Sequence, residues 1–455
     1  MRSEIPQMTQ APDSTLNADT LRQITEDVLS IARQQGATAA ETSASTGKGL
    51  SVTVRLGEVE SIEYHQDKGL GVTVYLGTSR GSASTSDFSR KALAETVEAA
   101  LTIARHTAAD PFAGLADPAL LATEFPDLDL YHPWSIDADT AADLARRCEA
   151  AARDSDTRIH NSEGGSVGTG EGTSVYANSL GFVGSSRSSR HNLSCSVIAE
   201  DSHGGMQRDY WYDVARDASA LASPESIGKT AAERTLRRLD ARKLPTSKAP
   251  VIFENQVASS ILGHLASAIS GGSLYRKSSF LVDSLGKSLF PEHIRIYEEP
   301  LRKRGLGSAS FDGEGVATHN RDIIADGVLQ GYILDSYSGR KLQMPTTGNA
   351  GGVHNLTLEP GALSLSEMIR EMGRGLLVTE LIGFGINMVT GDYSRGAAGF
   401  WVEHGEIQYP VEEITIAGTL QEMFMGLQVV GNDLLTHGNT GCPSIRIDEM
   451  MIAGE

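Results

Sequence analysis

The 455-residue sequence holds no His-Glu dipeptide, since none of its 12 histidines is followed by glutamate. Metal-hydrolase helices that carry two histidines and a general-base glutamate, in the HExxH or the longer His-Glu-x-x-x-His spacing, are thereby excluded. Cysteine is almost as scarce. Cys148, Cys195 and Cys442 stand far apart with no CxxC spacing, an odd number that argues against a disulfide framework and for a reducing compartment. No stretch of about 18 apolar residues occurs, and residues 1–17 contain two prolines but no apolar run of signal-peptide length. A cytoplasmic protein with a flexible tail over residues 1–18 and no membrane partner is expected. Basic residues are outnumbered, 39 Lys+Arg against 58 Asp+Glu, for a formal charge of -19. That field repels phosphate backbones, so direct nucleic-acid binding is not expected. The densest basic run, Arg302-Lys303-Arg304, follows Glu298 and Glu299 and reads as a solvated loop.

Phosphate-binding loops are missing too. Ser223 and Leu281 stand where the first glycine of a P-loop belongs, ahead of Gly228-Lys229-Thr230 and Gly286-Lys287-Ser288. Gly164-Gly165-Ser166-Val167-Gly168 fits the GxSxG of esterases, but it leads into a strand pattern instead of opening a helix.

Glycine, by contrast, is abundant. The 48 glycines exceed the average usage of roughly 7% and point to many turns and close backbone approaches. Apolar residues at helical spacing predict a helix over 19–35, followed by strands over 50–56, 59–64 and 70–76 that turn at Gly57 and Gly69, a further strand over 82–86 and a helix over 89–107. The same order recurs: a helix over 137–153, strands over 173–178, 181–189, 192–200 and 206–214, and a helix over 224–239. Two helix, antiparallel sheet, helix repeats imply an internal duplication. Prolines and charge over 242–250 mark a boundary. Beyond it a strand (251–254) and a helix (257–269) lead into short strands at 313–316, 328–335, 355–358, 375–382, 399–403, 406–409 and 444–452. The expected fold is α+β, with an N-terminal domain over 19–245 and a β-rich, barrel-like C-terminal domain over 246–455.

Asn387 to Gly418 (NMVTGDYSRGAAGFWVEHGEIQYPVEEITIAG), Asn432-Asp433, and Pro443 to Gly454 (PSIRIDEMMIAG) resemble the C-terminal signature of the TldD/PmbA family. Gly69 to Asp87 and Met206 to Arg216 (MQRDYWYDVAR) are similar to its N-terminal half, so the resemblance covers nearly the whole chain after the tail. It implies a PmbA/TldE-type subunit that works beside a TldD-like metallopeptidase subunit. In that family the TldD-type chain carries His-Glu-x-x-x-His and a cysteine ligand, holds zinc, and degrades unfolded or flexible peptides. The family is also described as modulating DNA gyrase, through peptide processing.

Aligned by eye, Gly263, His264 and Ala268 take the positions of the first His, the Glu and the second His. No catalytic or metal-binding residue carries over, and no cofactor is expected on this chain. Two alternatives stay open. One is a peptidase with a discontinuous site, for which Cys442 (beside His437 along the chain), Glu254 and His264 are candidates. The other is a non-enzymatic homodimeric binding protein; an isolated homodimer is expected in any case.

Overall fold

Leu21, Ile24, Val28 and Ile31 recur at helical spacing, and they lie on helix α1 (Ala18–Gln34) of the computed structural model, which describes residues 16–454. Asn17 caps the helix, its side chain accepting the Thr20 N–H. Strands β1 (Ala39–Arg55), β2 (Glu58–Leu76) and β3 (Ser79–Thr85) follow, then α2 (Arg90–His106). The order repeats with α3 (Ala138–Arg153), β4 (Asn161–Asn178), β5 (Val183–Glu200), β6 (Met206–Ala215) and α4 (Pro224–Leu236). The six strands pair in the order β3-β2-β1-β4-β5-β6, a palindrome of the two repeats.

Each repeat has three strands, not the four read from the sequence. Gly69 sits inside β2, where Leu70, Val72 and Val74 are buried in alternation beyond it. The tail expected over 1–18 falls largely outside the described residues.

The long strands contribute to two compact units. One takes the described residues as far as Gly49 with Tyr64–Leu115 and Gly170–Ser188. In it α1 and α2 bury Leu21, Val28, Val97 and Leu101 against Val72, Val74 and Val175. The other takes Leu50–Glu63, Ala116–Thr169 and Ser189–Glu455, and there α3 and α4 cover Val52, Val54, Val167 and Val197.

The same second unit contains β7 (Ser247–Phe253), α5 (Asn255–Ala268), α6 (Gly271–Tyr275), β8 (Ile296–Glu298), β9 (Arg321–Ala325), β10 (Val328–Leu329), α7 (Ser336–Leu342), β11 (Leu356–Leu358) and α8 (Leu365–Met372). They are followed by β12 (Gly375–Ile382), β13 (Asp392–Glu403), β14 (Glu406–Thr419), α9 (Leu420–Met425), β15 (Leu427–Val430), β16 (Thr440–Gly441) and β17 (Ile445–Ala453). Strands β14-β13-β12-β7-β17 pair in that order, and β14 also pairs with β17 through Thr415↔Ala453, Ile416↔Ile452 and Ala417↔Met451. The five strands therefore close into a barrel, with β15 on the free edge of β17 and no exposed edge left between first and last.

Closure requires burial on both faces. Val251, Phe253, Leu376 and Val378 join the core that α5 covers with Ile261, Leu262 and Leu265, while Ile252, Leu377, Phe400 and Val402 pack under Met368 and Ile369 of α8. Continuous apolar runs such as VIF and GLLV follow from that two-sided burial. The fold is thus α+β, with duplicated helix, sheet, helix repeats and a barrel-like C-terminal region. Among the described residues no helix is long and apolar enough to cross a membrane.

Candidate functional site

Helix α5 begins directly after barrel strand β7, so its first turn is fixed by the barrel. The Glu254 N–H donates to Val378 O (2.9 Å), the Asn255 N–H to Ser444 Oγ (3.0 Å) and the Asn255 side chain to Asp433 O (2.8 Å). Glu254 makes no side-chain cap bond to the helix. Its buried carboxylate instead accepts from Arg234 Nη1 and Arg237 Nη2, each at 3.0 Å. Arg234 also reaches Asp209 (3.4 Å) and lies over the Trp211 ring. Arg238 approaches Asp209 at 3.6 Å and pairs closely with Glu380.

Beside this network is a cavity of about 260 Å³. Its walls come from β6 (Arg208, Asp209, Tyr210), α4 and the turn that follows it (Arg234, Arg238), the first turns of α5 (Gln256, Val257, Ser260), β12 (Thr379 to Leu381) and β13 (Arg395). Four guanidinium groups thus face it against two carboxylates, Asp209 and Glu380. The α5 residues are spaced i, i+1, i+4, and His264 continues the row one turn further on.

His264 packs edge-on against Tyr393, ring centroids 6.0 Å apart. Burial pushes its imidazole down to about 4, and the nearby Arg395 guanidinium pushes the same way. Burial likewise drives the Tyr393 hydroxyl up to about 12, with Arg395 opposing. At neutral pH the ring and the phenol are both uncharged. Gly263 is exposed, with open space where a side chain would project, and Ala268 is buried in the barrel core. Of the three positions read as the degenerate motif, only His264 continues the cavity row.

A catalytic zinc needs three protein donors around one point and an open fourth position. No group of three or more His, Cys, Asp or Glu side chains able to hold a metal occurs among the described residues, and His264 has a guanidinium beside it. The residues present do not fit a zinc centre.

The candidates for a discontinuous peptidase site are not suited to it. Cys442 is fully buried, its S–H donates to Pro443 O (3.4 Å), and burial with Asp433 nearby pushes the thiol up, so it is no thiolate nucleophile. Its sequence neighbour His437 packs on Tyr212 (centroids 4.6 Å apart) with Asp213 at 3.6 Å. Glu254 is occupied by its two arginines. Ser166 of the GxSxG match lies within β4 and shares a hydrogen bond with Thr53 (3.0 Å), not on an elbow; a side chain at Gly165 would meet Ala145 O at 2.3 Å, so that glycine serves the packing of α3. The basic run is ion-paired, Arg302 with Glu299, and Arg304 with Asp129 and Asp217.

Sequence reasoning missed the arginine cavity, because its walls come from five elements. A signal was present all the same. Arg208, Asp209 and Arg395 lie within two of the segments that carry the family resemblance.

Residues 40–104, 131–239 and 246–454 match, in order, domain 1, the central domain and the C-terminal domain of the PmbA/TldA metallopeptidases. The chain is 52% identical over 437 residues to the metalloprotease PmbA of Escherichia coli O157:H7, covering 95% of this chain and 97% of that protein. It is 49% identical to the PmbA homolog of Haemophilus influenzae, over 95% of this chain and 96% of that one. A crystal structure from Bacteroides thetaiotaomicron, a candidate modulator of DNA gyrase, superposes with a TM-score of 0.91 at 28% identity, covering 96% of this chain and all of that one. TldE of Thermococcus kodakarensis shares the fold, with a TM-score of 0.83 at 20% identity over 95% of this chain and all of that one.

Proposed function

Because the chain belongs to the PmbA/TldD metallopeptidase family, we propose that it is the PmbA/TldE-type subunit of a two-component cytoplasmic peptidase. A TldD-like subunit holds the zinc and cleaves; this chain completes the chamber and helps hold unfolded or flexible peptides beside it. The observation that carries the reading is the donor set around α5. Where a hydrolytic centre needs imidazole and carboxylate converging on one point, this helix offers a single uncharged imidazole next to Arg395 and borders a cavity that other elements line with arginines. The bonds a chain of this kind supplies are those of a binding surface, and backbone pairing suits peptides of any sequence. Its three buried, unpaired cysteines fit a reducing compartment.

The test mixes this chain with a TldD-like subunit and follows cleavage of an unfolded peptide. Stoichiometric addition should raise the rate by about tenfold or more, and this chain purified without chelator should carry far less than one equivalent of transition metal. Unchanged partner activity removes the subunit role. A full equivalent of bound metal would revive the reading favoured by the relatives' name, a metallopeptidase in its own right.

A further inference from the structure

We propose that the arginine-lined cavity at the start of α5 is a carboxylate subsite that takes the C-terminal end of a peptide, with Arg395 as the side chain that grips it. In a chain of formal charge -19 this concave surface is locally positive, with four guanidinium groups against two carboxylates. Three of the four are already engaged: Arg208 with Glu163 at 2.6 Å, and Arg234 and Arg238 with Asp209 and its neighbours. Arg395 has no carboxylate partner among the described residues, and its Nε is a buried donor with no hydrogen-bond acceptor. Gln256 Nε2, on the same wall, is a second such donor. Arg395 is thus the one guanidinium of this wall without a carboxylate among the described residues, and a planar anion accepting from a guanidinium fork suits it. The first turn of α5, to which Glu254 gives no side-chain cap, adds the positive end of a 14-residue helix.

The wall also discriminates among anions. Asp209 and Glu380 stand in it, so a singly charged carboxylate suits the cavity better than a doubly charged phosphate. Val257 and Leu381 supply apolar surface beside the cations for the terminal residue's side chain. Choosing a peptide end over a free acid rests on the peptidase-subunit reading above.

Calorimetric titration of the isolated full-length chain at low ionic strength tests it. The probes are N-acetyl-Ala-Ala-Leu with a free carboxylate, the same tripeptide as its C-terminal amide, and inorganic phosphate. The acid should bind saturably and about tenfold or more tighter than either of the others. Arg395→Met should weaken the acid by about tenfold or more and leave the amide unchanged, with Arg395→Lys between the two. The wild-type comparison of acid with amide stands even if Arg395→Met folds poorly. Equal binding of acid and amide, phosphate binding as tight as the acid, or an Arg395→Met chain that still prefers the acid would each overturn the site. A chain that stimulates its partner yet fails here keeps the subunit role and loses this subsite. One that prefers the acid but stimulates nothing keeps the subsite and loses the role.

Discussion

Glu254 stands at the joint between β7 and α5 and joins them to α4 through Arg234 and Arg237. Both Glu254 and Arg234 are almost fully buried, at 6% and 7% exposure, so their desolvation is already incurred in the fold and only mutual pairing offsets it. Removing one member leaves the other charge stranded. Glu254→Gln should therefore lower stability by about 3 kcal/mol, discounted from larger values because Asp209 still neutralises Arg234. Glu449→Gln breaks an ion pair to Lys248 in which both side chains are more than half exposed, and should change stability by less than about 0.5 kcal/mol. Urea midpoints at constant m value separate the two, and similar small losses for both would show that the buried pair is not what ties α4 to the barrel.

At the scale of elements, the β1–β2 hairpin shows a local conflict resolved by a neighbour. Its two turn residues, Leu56 and Gly57, both have positive φ, 53° and 84°, as a type I′ turn requires. Leucine is poorly suited to that region, and its side chain is 46% exposed, so burial offers little in return. The turn is held from outside, by the Glu149 carboxylate of α3, which accepts both turn N–H groups at 2.7 and 2.8 Å. Leu56→Asn keeps those backbone bonds and relieves the strain, so it should stabilise the chain by about 1 kcal/mol, read as a raised urea midpoint. A lowered midpoint would mean that contacts of the leucine outweigh the backbone term. This hairpin also shows what the sequence conveys. The helices were legible because 3.6-residue apolar spacing on α1, α2, α3 and α5 is a strong local signal. The outer reaches of the long strands were not: β1 begins with AAETSASTGKG, where the alternate buried positions are filled by alanine and threonine, and β4 with NSEGGSVGTGEG, where Ser162, Gly164 and Gly165 are buried beside a single valine, Val167. Small residues leave no hydrophobic alternation to read. Glycines such as Gly69, which read as turns, sit within a strand. The site was less legible still. His264 was visible as a lone helical histidine, whereas Arg208, Arg234, Arg238 and Arg395 converge only once β6, α4 and β13 have been placed by the barrel and the sheet.

For the molecule as a whole, stability against pH is set by groups whose folded environment differs from water, and two of them act in opposite directions over the same range. Burial drives the Glu314 carboxyl up to about 7, against hydrogen bonds from Ser336, with repulsion from Asp312 and Asp335 adding to it. A raised acid is stabilising while protonated, so its contribution is complete below the ordinary value of 4.5 and is lost as pH rises through about 7. His264 is lowered to about 4 from an ordinary 6.5; its contribution is complete above 6.5 and is lost as pH falls toward 4. Between pH 4.5 and 6.5 the two slopes oppose, and the wild-type profile is flatter than either group alone would make it. Glu314→Gln keeps an oxygen that can accept the Ser336 N–H (2.9 Å in the wild type) and removes the falling slope. The stability of this variant relative to wild type should grow from near zero at pH 4.5 to about 3 kcal/mol at pH 8, at roughly 1.4 kcal/mol per unit of displacement. Its own profile should then rise from pH 4.5 to 6.5, exposing the histidine. Unfolding midpoints across that range supply the check: a difference that does not vary with pH means Glu314 titrates as it does in water, and the burial assigned to it is wrong.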